Sequence, residues 1–117
     1  MKVIIAGSRS ITDEKILFRA LEQCGFDITE VVCGLARGAD ALGRCHAICS
    51  DLGLKEFPAD WKKYGRRAGY IRNEEMAQYA DALLALWDGS SPGTKHMIEQ
   101  AKKYKLKVFV YNINENN

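Results

Sequence analysis

Ala82-Leu83-Leu84-Ala85-Leu86-Trp87 carries an apolar side chain at every position. Such a run is typical of the central strand of a parallel sheet, because helices cover both faces of that strand. Shorter apolar runs lie on either side of it, and segments with apolar residues at helical spacing separate them. The pattern predicts strands at residues 3–6, 30–33, 54–57, 82–87 and 107–111, and helices at residues 13–24, 40–52, 69–79 and 94–104.

This alternation of strands and helices predicts an α/β fold. Helices that connect neighbouring parallel strands pack on both faces of the sheet. We therefore expect a single-domain, Rossmann-like three-layer sandwich with a five-stranded parallel sheet and about four helices. The 117 residues suffice for one hydrophobic core. We place the domain at residues 1–112 and a polar tail at residues 113–117.

Composition and charge exclude several classes of protein. Hydrophobic residues make up 47% of the chain and charged residues 27%, which excludes disordered and fibrous proteins. The apolar runs fall short of the ~18 residues that span a membrane, and the N-terminal run is too short for a secretory signal. We therefore expect a cytoplasmic protein. The net charge of +2 does not by itself indicate a nucleic-acid binder.

The four cysteines contain no Cys-x-x-Cys pair, which excludes a zinc ribbon and a thioredoxin motif. Cys45 and Cys49 share a helix face with His46 beside them, but a metal site there would need ligands from elsewhere. We expect reduced thiols, no metal and no cofactor. The cysteines are Cys24, Cys33, Cys45 and Cys49.

Ligands of open parallel sheets bind beyond the carboxyl ends of the strands, so the segments after the strands carry the chemistry. Gly7-Ser8-Arg9-Ser10 follows the first strand. A glycine turn, amides at a helix start, hydroxyls and an arginine together favour an anion. The alternative is an ordinary turn with a surface arginine. The dinucleotide fingerprint and the Walker lysine loop are both missing, which argues against an ordinary NAD enzyme or ATPase.

The segment after the second strand is Gly34-Leu35-Ala36-Arg37-Gly38-Ala39-Asp40. Two glycines enclose an arginine, and an aspartate stands at the predicted helix start. Asp40 either caps that helix or holds a ribose hydroxyl or Arg37. Capping is the more frequent role of an aspartate at such a position.

The segment after the third strand, residues 58–73, is long for a strand–helix connection. It combines five basic residues with three aromatic ones and has no acidic residue between Trp61 and Arg72. Cations suit phosphates and rings stack on bases, so the cluster favours a nucleotide or a single nucleic-acid strand. The alternative is a solvated loop whose rings cover the core. The basic residues are Lys62, Lys63, Arg66, Arg67 and Arg72, and the aromatic ones are Trp61, Tyr64 and Tyr70.

Asp88-Gly89-Ser90-Ser91-Pro92-Gly93-Thr94 follows the fourth strand. Gly93 and Thr94 open a helix with bare amides and a hydroxyl, which is a phosphate-binding arrangement. If strands one and four are neighbours, this segment faces the Gly7 loop across a crevice. Asp88 either orients a ribose, acts as a base, or bonds its own backbone in a turn.

These segments occur in a specific combination. It comprises Ala6-Gly7-Ser8-Arg9, Gly34-Leu35-Ala36-Arg37-Gly38-Ala39-Asp40, Pro58-Ala59-Asp60-Trp61, Ala68-Gly69-Tyr70-Ile71-Arg72-Asn73 and Trp87-Asp88-Gly89-Ser90-Ser91-Pro92-Gly93-Thr94. The combination covers nearly the whole chain and resembles the SLOG superfamily, in particular small YspA/YpsA-related proteins. The resemblance implies a Rossmann-like fold, a nucleotide or ADP-ribose-like ligand and a homodimer.

Two other branches of the superfamily imply different activities. Arg72, Met76, Asp81-Ala82 and Gly93-Thr94 resemble the Lonely Guy phosphoribohydrolases, which release a base from a nucleoside monophosphate. That family uses an arginine, matched by Arg72, and a glutamate, whose position here is Met97. Glycosidic chemistry would therefore need another acid, Asp60 or Asp88. The first two loops also resemble the core of DNA-processing protein A, which implies single-stranded DNA.

We therefore expect a nucleotide or ADP-ribose-like ligand, bound by a sensor, receptor or sponge. The alternatives are a nucleotide N-glycosidase and a binder of single-stranded nucleic acid. The candidate catalytic residues are Arg72, Asp88 and Asp60. The candidate nucleotide- and phosphate-binding residues are Gly7, Ser8, Arg9, Gly34, Arg37, Gly38, Asp40, Trp61, Tyr64, Asn73, Gly89, Ser90, Ser91, Gly93 and Thr94.

Overall fold

A computed structural model of the protein describes residues 1–114. They form a five-stranded parallel sheet in the order β3-β2-β1-β4-β5. The predicted α/β three-layer, Rossmann-like fold is confirmed. The strands are β1 (Lys2–Gly7), β2 (Glu30–Gly34), β3 (Gly53–Phe57), β4 (Ala82–Trp87) and β5 (Lys107–Asn112), and the helices are α1 (Glu14–Cys24), α2 (Ala39–Cys49), α3 (Trp61–Tyr64), α4 (Ala68–Tyr79) and α5 (Pro92–Lys103).

The sheet has a buried core on each face, because the side chains of a strand alternate between faces. Val3, Ile5 and Leu84 pack beneath α1 and α2. Ile4 and Leu83 pack on the opposite face, beneath α4 and α5. The first five residues of β4 are fully buried. This explains why apolar and polar residues do not alternate in residues 82–87.

The crevice lies between β1 and β4, where the order of the strands in the sheet reverses. β2 and β3 extend from one side of β1, whereas β4 and β5 extend from the other. Gly7 at the end of β1 is in register with Leu86, and a β-carbon on Gly7 would stand 2.0 Å from the Leu86 carbonyl oxygen. Glycine is therefore required for the two strand ends to lie so close together.

Several predicted element bounds were wrong. The segment 58–73 is mostly helical: α3 and a 3₁₀ turn (Gly65–Arg67) precede α4. The Asp60 carboxylate caps α3 by accepting the Lys63 backbone N–H at 3.1 Å. The helix predicted to reach residue 52 ends at Cys49. α5 starts at Pro92, because proline suits the first position of a helix.

The last two described residues are hydrogen-bonded to the end of β4 and the residue that follows it. The Ile113 N–H donates to the Trp87 carbonyl at 2.9 Å, and Asn114 Nδ2 donates to the Asp88 carbonyl at 2.7 Å. The remainder of the predicted polar tail, residues 115–117, lies outside the described residues.

Residues 1–114 contain no helix long and apolar enough to cross a membrane. Within the same range, no cluster of three or more His, Cys, Asp or Glu side chains is arranged to hold a metal ion. The four cysteines are free thiols. Cys33 is buried in β2, whereas Cys45 and Cys49 are exposed on α2.

Candidate functional site

Three adjoining cavities form the crevice at the carboxyl ends of the strands, and Arg9 lines all of them. The outer cavity, of about 340 Å³, is lined by Arg9, Leu35, Ala36, Arg37, Pro58, Ala59, Trp61 and Arg72. The inner cavity, of about 80 Å³, is lined by Ala6, Gly7, Arg9, Ala36, Asp40, Arg72, Asn73, Met76, Gly93, Thr94 and Met97. The loop cavity, of about 490 Å³, is lined by Gly7, Ser8, Arg9, Ser10, Ser91, Pro92, Gly93 and Thr94.

Three predicted arginines meet in the outer cavity. Arg9 follows β1, Arg37 follows β2 and Arg72 lies in α4, so three separate segments converge there. Arginine binds phosphate oxygens through paired N–H donors. The other four predicted basic residues do not line these cavities; they are exposed on α3 and the 3₁₀ turn, namely Lys62, Lys63, Arg66 and Arg67.

Asp40 does not cap α2, contrary to the more frequent role expected for it. The N-cap position is Gly38, whose φ of 72° is left-handed and which makes no side-chain cap bond. A β-carbon there would stand 2.5 Å from the carbonyl oxygens of both Ser8 and Arg9. Gly38 therefore lets the second loop lie directly against the first, while the aspartate turns inward.

The buried Asp40 carboxyl group lines the inner cavity, with 6% of the residue exposed. Burial raises its pKa to about 6, because a carboxylate loses its hydration there. The positive charge of Arg72, a hydrogen bond from the Ala36 N–H and the charge of Arg9 oppose that rise. The inner cavity thus contains a carboxyl group that changes charge near neutral pH.

Asn73 connects Arg72 to the start of α5. Its Oδ1 accepts a hydrogen bond from Arg72 Nε at 3.2 Å, and its Nδ2 lies 3.4 Å from the Gly93 carbonyl oxygen. Nδ2 also lies 3.2 Å from Nδ1 of His96. Sequence reasoning missed His96, because a single histidine within a helix matches no motif.

The loops after β1 and β4 are joined by side chains. Ser8, 2% exposed, accepts the Asp88 N–H at its Oγ, at 3.3 Å. The Ser91 hydroxyl lies 2.9 Å from the Ser8 hydroxyl and donates to Asp88 Oδ2 at 2.8 Å. The pairing of β1 with β4 thus brings the two predicted anion-binding loops together, as the sequence required.

Asp88 has the geometry of the turn residue among its predicted roles. Its Oδ1 accepts the backbone N–H groups of Ser90 and Ser91, at 2.9 and 2.8 Å. These two bonds, followed by the Ser91 hydroxyl, lower its pKa to about 2. A carboxylate with so low a pKa is a weak base. Gly89 completes the turn with a φ of 87°.

The helix start at the loop cavity is open. Gly93 has no atom near its β-position, and Thr94 is buried at 5% exposure. The first N–H groups of a helix have no partner within it and attract anions. The loop cavity therefore has unpaired donors at one wall and Arg9 at another.

Of the other predicted site residues on α3, only Trp61 lines a cavity of the crevice; Tyr64 and Asp60 do not. Trp61, 55% exposed, lines the outer cavity together with Leu35 and Arg37. Tyr64 instead packs against Lys63, whose Nζ lies 5.1 Å from the ring centre. Asp60 is engaged as the α3 cap. The apolar lining residues that were missed, Leu35, Ala36, Pro58 and Ala59, carry no chemical signal of their own.

Comparisons with known proteins agree with the fold. A family model described as the YspA, cpYpsA-related SLOG family matches residues 1–64. The Gene 61 protein of Mycobacterium phage D29 is similar, with 35% identity covering 92% of this chain and 93% of that protein. The X-ray structure of DNA processing protein A from Streptococcus pneumoniae shares the fold, with a TM-score of 0.74 and 17% identity. The alignment covers 93% of this chain but about half, 49%, of that one.

Proposed function

Because the chain belongs to the YspA, cpYpsA-related SLOG family, we propose that its crevice binds a nucleotide or an ADP-ribose-like derivative as a sensor, receptor or sponge. Membership suggests nucleotide-related binding or glycosidase-like activity. The observation that carries the proposal is the convergence of Arg9, Arg37 and Arg72 beside an open helix start. Both features favour phosphate oxygens.

The shape of the crevice supports a ligand with one charged and one flat end. The loop cavity offers unpaired amides and Arg9 for a phosphate group. The outer cavity offers its three arginines for further phosphate oxygens, and the exposed Trp61 with Leu35 for a base. Stacking on an aromatic ring is open to any base, so this arrangement selects nucleotides as a class.

Binding without turnover is favoured by the side chain at position 97. Met97 is buried at 1% exposure and lines the inner cavity, where the resemblance to phosphoribohydrolases would place a glutamate. A thioether transfers no proton at neutral pH. Of the alternative acids, Asp60 caps α3 and Asp88 has a pKa of about 2.

One observation favours glycosidic chemistry as a second candidate function. The Asp40 carboxyl group, with a pKa of about 6, shares the inner cavity with Arg72 and Asn73. A carboxyl group that is partly protonated near neutral pH is suited to general acid–base catalysis. In this candidate function Asp40, rather than Asp60 or Asp88, supplies the acid.

A mass-spectrometric screen tests both functions. Purified protein is incubated with nucleoside monophosphates, deoxynucleotides, ADP-ribose and cyclic nucleotides, and the free and heat-released fractions are analysed. A ligand that is retained and released intact supports the binding function. Free base together with ribose 5-phosphate, lost in Asp40→Asn and in Arg72→Ala, supports the glycosidase. Neither retention nor cleavage across the panel would contradict both functions and favour single-stranded nucleic acid, which is then tested directly with an oligonucleotide.

A further inference from the structure

The Asn73 amide has one orientation that satisfies all its neighbours. A guanidinium group only donates, so Asn73 must present Oδ1 to Arg72 Nε, 3.2 Å away. Its Nδ2 then faces the Gly93 carbonyl at 3.4 Å and Nδ1 of His96 at 3.2 Å. Both Nδ2 hydrogens need acceptors, so Nδ1 of His96 must be unprotonated. The ring is therefore neutral and carries its hydrogen on Nε2.

We propose that His96 is a positioning residue of the crevice: its neutral ring fixes the Asn73 amide, which in turn holds Arg72 toward the ligand, and protonation of the ring loosens that hold. The consequence for ligand binding rests on the proposed function. The hydrogen-bond chain itself is a property of the ligand-free protein.

The ring is held in place by packing as well as by hydrogen bonding. Tyr70 of α4 lies against it, with ring centres 4.4 Å apart and planes inclined by 46°. His96 is half-buried on α5. A ring that is held on one side and bonded to Asn73 on the other has a defined direction for its Nδ1 lone pair, as a positioning role requires.

The charges around the ring act in both directions. Burial lowers the pKa of His96, whereas the negative charges of Glu99 on α5 and Glu74 on α4 raise it to a smaller extent. Glu74 is partly neutralised, because it pairs with Lys103 at 3.8 Å and accepts the Tyr104 hydroxyl. On balance the pKa is lowered, so the ring is neutral at pH 7.

Arg72 is separated from His96 by Asn73 in this chain of hydrogen bonds. The strands beneath α5 contribute apolar side chains, such as Leu83 and Ala85, to the core that they share. Among the described residues, the charged groups that act on the His96 ring are Glu99 and Glu74. The titratable Tyr70 packs against the ring.

Protonation of His96 breaks the chain of hydrogen bonds. Both ring nitrogens then donate, and Nδ1 faces the Nδ2 donor of Asn73. A flip of the amide restores that contact but turns the NH₂ group toward Arg72 Nε, which is another donor. The unflipped amide loses its contact with His96 and keeps those with Arg72 and Gly93, whereas the flipped amide loses both of the latter. The amide that holds the guanidinium is therefore less firmly fixed in its orientation.

Nuclear magnetic resonance of the ligand-free protein tests the proposal. The chain has two histidines, so ¹⁵N labelling assigns both rings readily. We expect the neutral His96 ring to carry its proton on Nε2, and the Asn73 side-chain amide signals to shift on acidification with the midpoint of His96. A ring protonated on Nδ1 at pH 7.5, or Asn73 signals indifferent to the His96 titration, would overturn the proposal.

A variant separates the ring's charge from its role as an acceptor. In His96→Gln, a carbonyl oxygen can accept the Asn73 hydrogen bond at every pH, so the His96 component in the pH dependence of the Asn73 side-chain signals should vanish. A second component, from Asp40, should remain. His46→Gln on α2 is the matched control and should leave both components intact. Persistence of the His96 component in His96→Gln would overturn the proposal.

Calorimetric titration with AMP and ADP-ribose adds the functional readout. Between pH 7.5 and 5 the wild type should lose about fivefold more affinity than His96→Gln does, the effect of about one hydrogen bond. The same loss in both proteins overturns the functional part of the proposal. If neither probe binds the wild type while the resonance results hold, the proposed function fails for these nucleotides and the positioning chain stands.

Discussion

The Arg72 guanidinium lies directly against the α-carbon of Gly34. A β-carbon built on Gly34 would stand 2.1 Å from Nη1 of Arg72 and 2.9 Å from Oδ2 of Asp40. Gly34 is the last residue of β2. Its lack of a side chain therefore makes room for the charged groups of the crevice, and this space is what Arg72 needs to reach the outer cavity.

Gly34→Ala should weaken nucleotide binding at least tenfold while the protein stays folded. The added methyl group displaces the end of a flexible side chain rather than backbone, so we expect a small loss of stability, about 1 kcal/mol. Calorimetric titration and thermal unfolding measure the two effects. Gly69→Ala is the matched control, since its β-carbon would meet Trp61 at 3.5 Å and Arg72 Nη2 at 3.9 Å, ordinary contact distances that displace neither side chain. Unchanged affinity in Gly34→Ala would show that the position of Arg72 does not matter for binding.

Arg72→Ala should abolish detectable nucleotide binding while the protein stays folded, with a loss of stability of about 1–3 kcal/mol, because the buried Asn73 Oδ1 loses its donor. Arg66→Ala is the control, an exposed arginine of the 3₁₀ turn that should bind as the wild type does. If Arg72→Ala unfolds the protein and the folded fraction still binds, then the arginine is structural.

The sequence predicted the location of the crevice because that location follows from strand order and loop chemistry. Parallel strands end at the same edge, so the loops beginning at Gly7 and Asp88 had to meet once β1 and β4 were neighbours. Arg9, Arg37 and Arg72 were visible as residue types in the segments that follow the first three strands. The cluster of cations and rings favoured a nucleotide or a single nucleic-acid strand, and the family resemblance added an ADP-ribose-like derivative to the expected ligands.

Burial and side-chain direction could not be predicted in the same way. Asp40 stands where an aspartate usually caps a helix, and only the contact of Gly38 with the first loop turns it inward. The importance of His96 depends on how α4 packs against α5, which no local pattern records. The helix α3 was missed because a single turn has too few residues to show a period.

Asp40→Asn should stabilise the protein at neutral pH but not in acid. The folded-state pKa of Asp40 is raised, so its contribution to stability is complete below the ordinary value of 3.8 and is lost as the pH rises through about 6. The difference between the pKa of 3.8 and that of about 6 corresponds to a loss of about 3 kcal/mol in the free energy of unfolding. Asparagine is uncharged and can still accept the Ala36 N–H, so it avoids this loss.

Thermal unfolding of Asp40→Asn and the wild type from pH 4 to 8 measures this effect. The variant's advantage should grow through the range and level off above pH 7. Asp27→Asn, at an exposed aspartate, is the control and should show no such trend. A constant difference between Asp40→Asn and the wild type at every pH would show that the carboxyl group is ionised at the same pH in both the folded and unfolded chain.

Asp88→Ala should disorder the loop that carries Ser90 and Ser91, because it removes the acceptors of two backbone N–H groups. We expect weaker phosphate binding and a lower melting temperature. Asp88→Asn keeps one oxygen acceptor and should bind within about threefold of the wild type. Any base release found in the screen should also survive Asp88→Asn. Its selective loss in that variant would identify Asp88 as the base.

Trp61→Ala should weaken nucleotide binding by about 1–3 kcal/mol, the usual contribution of one stacked base. The Trp61 ring is 55% exposed at the wall of the outer cavity, so its removal exposes no core and should leave the melting temperature nearly unchanged. Trp61→Phe retains a stacking surface and should recover most of the affinity. Tyr64→Ala is the matched control, because its ring packs against Lys63 instead. Equal losses in Trp61→Ala and Tyr64→Ala would mean that the whole of α3 closes over the ligand. No loss in Trp61→Ala would place the base elsewhere in the crevice.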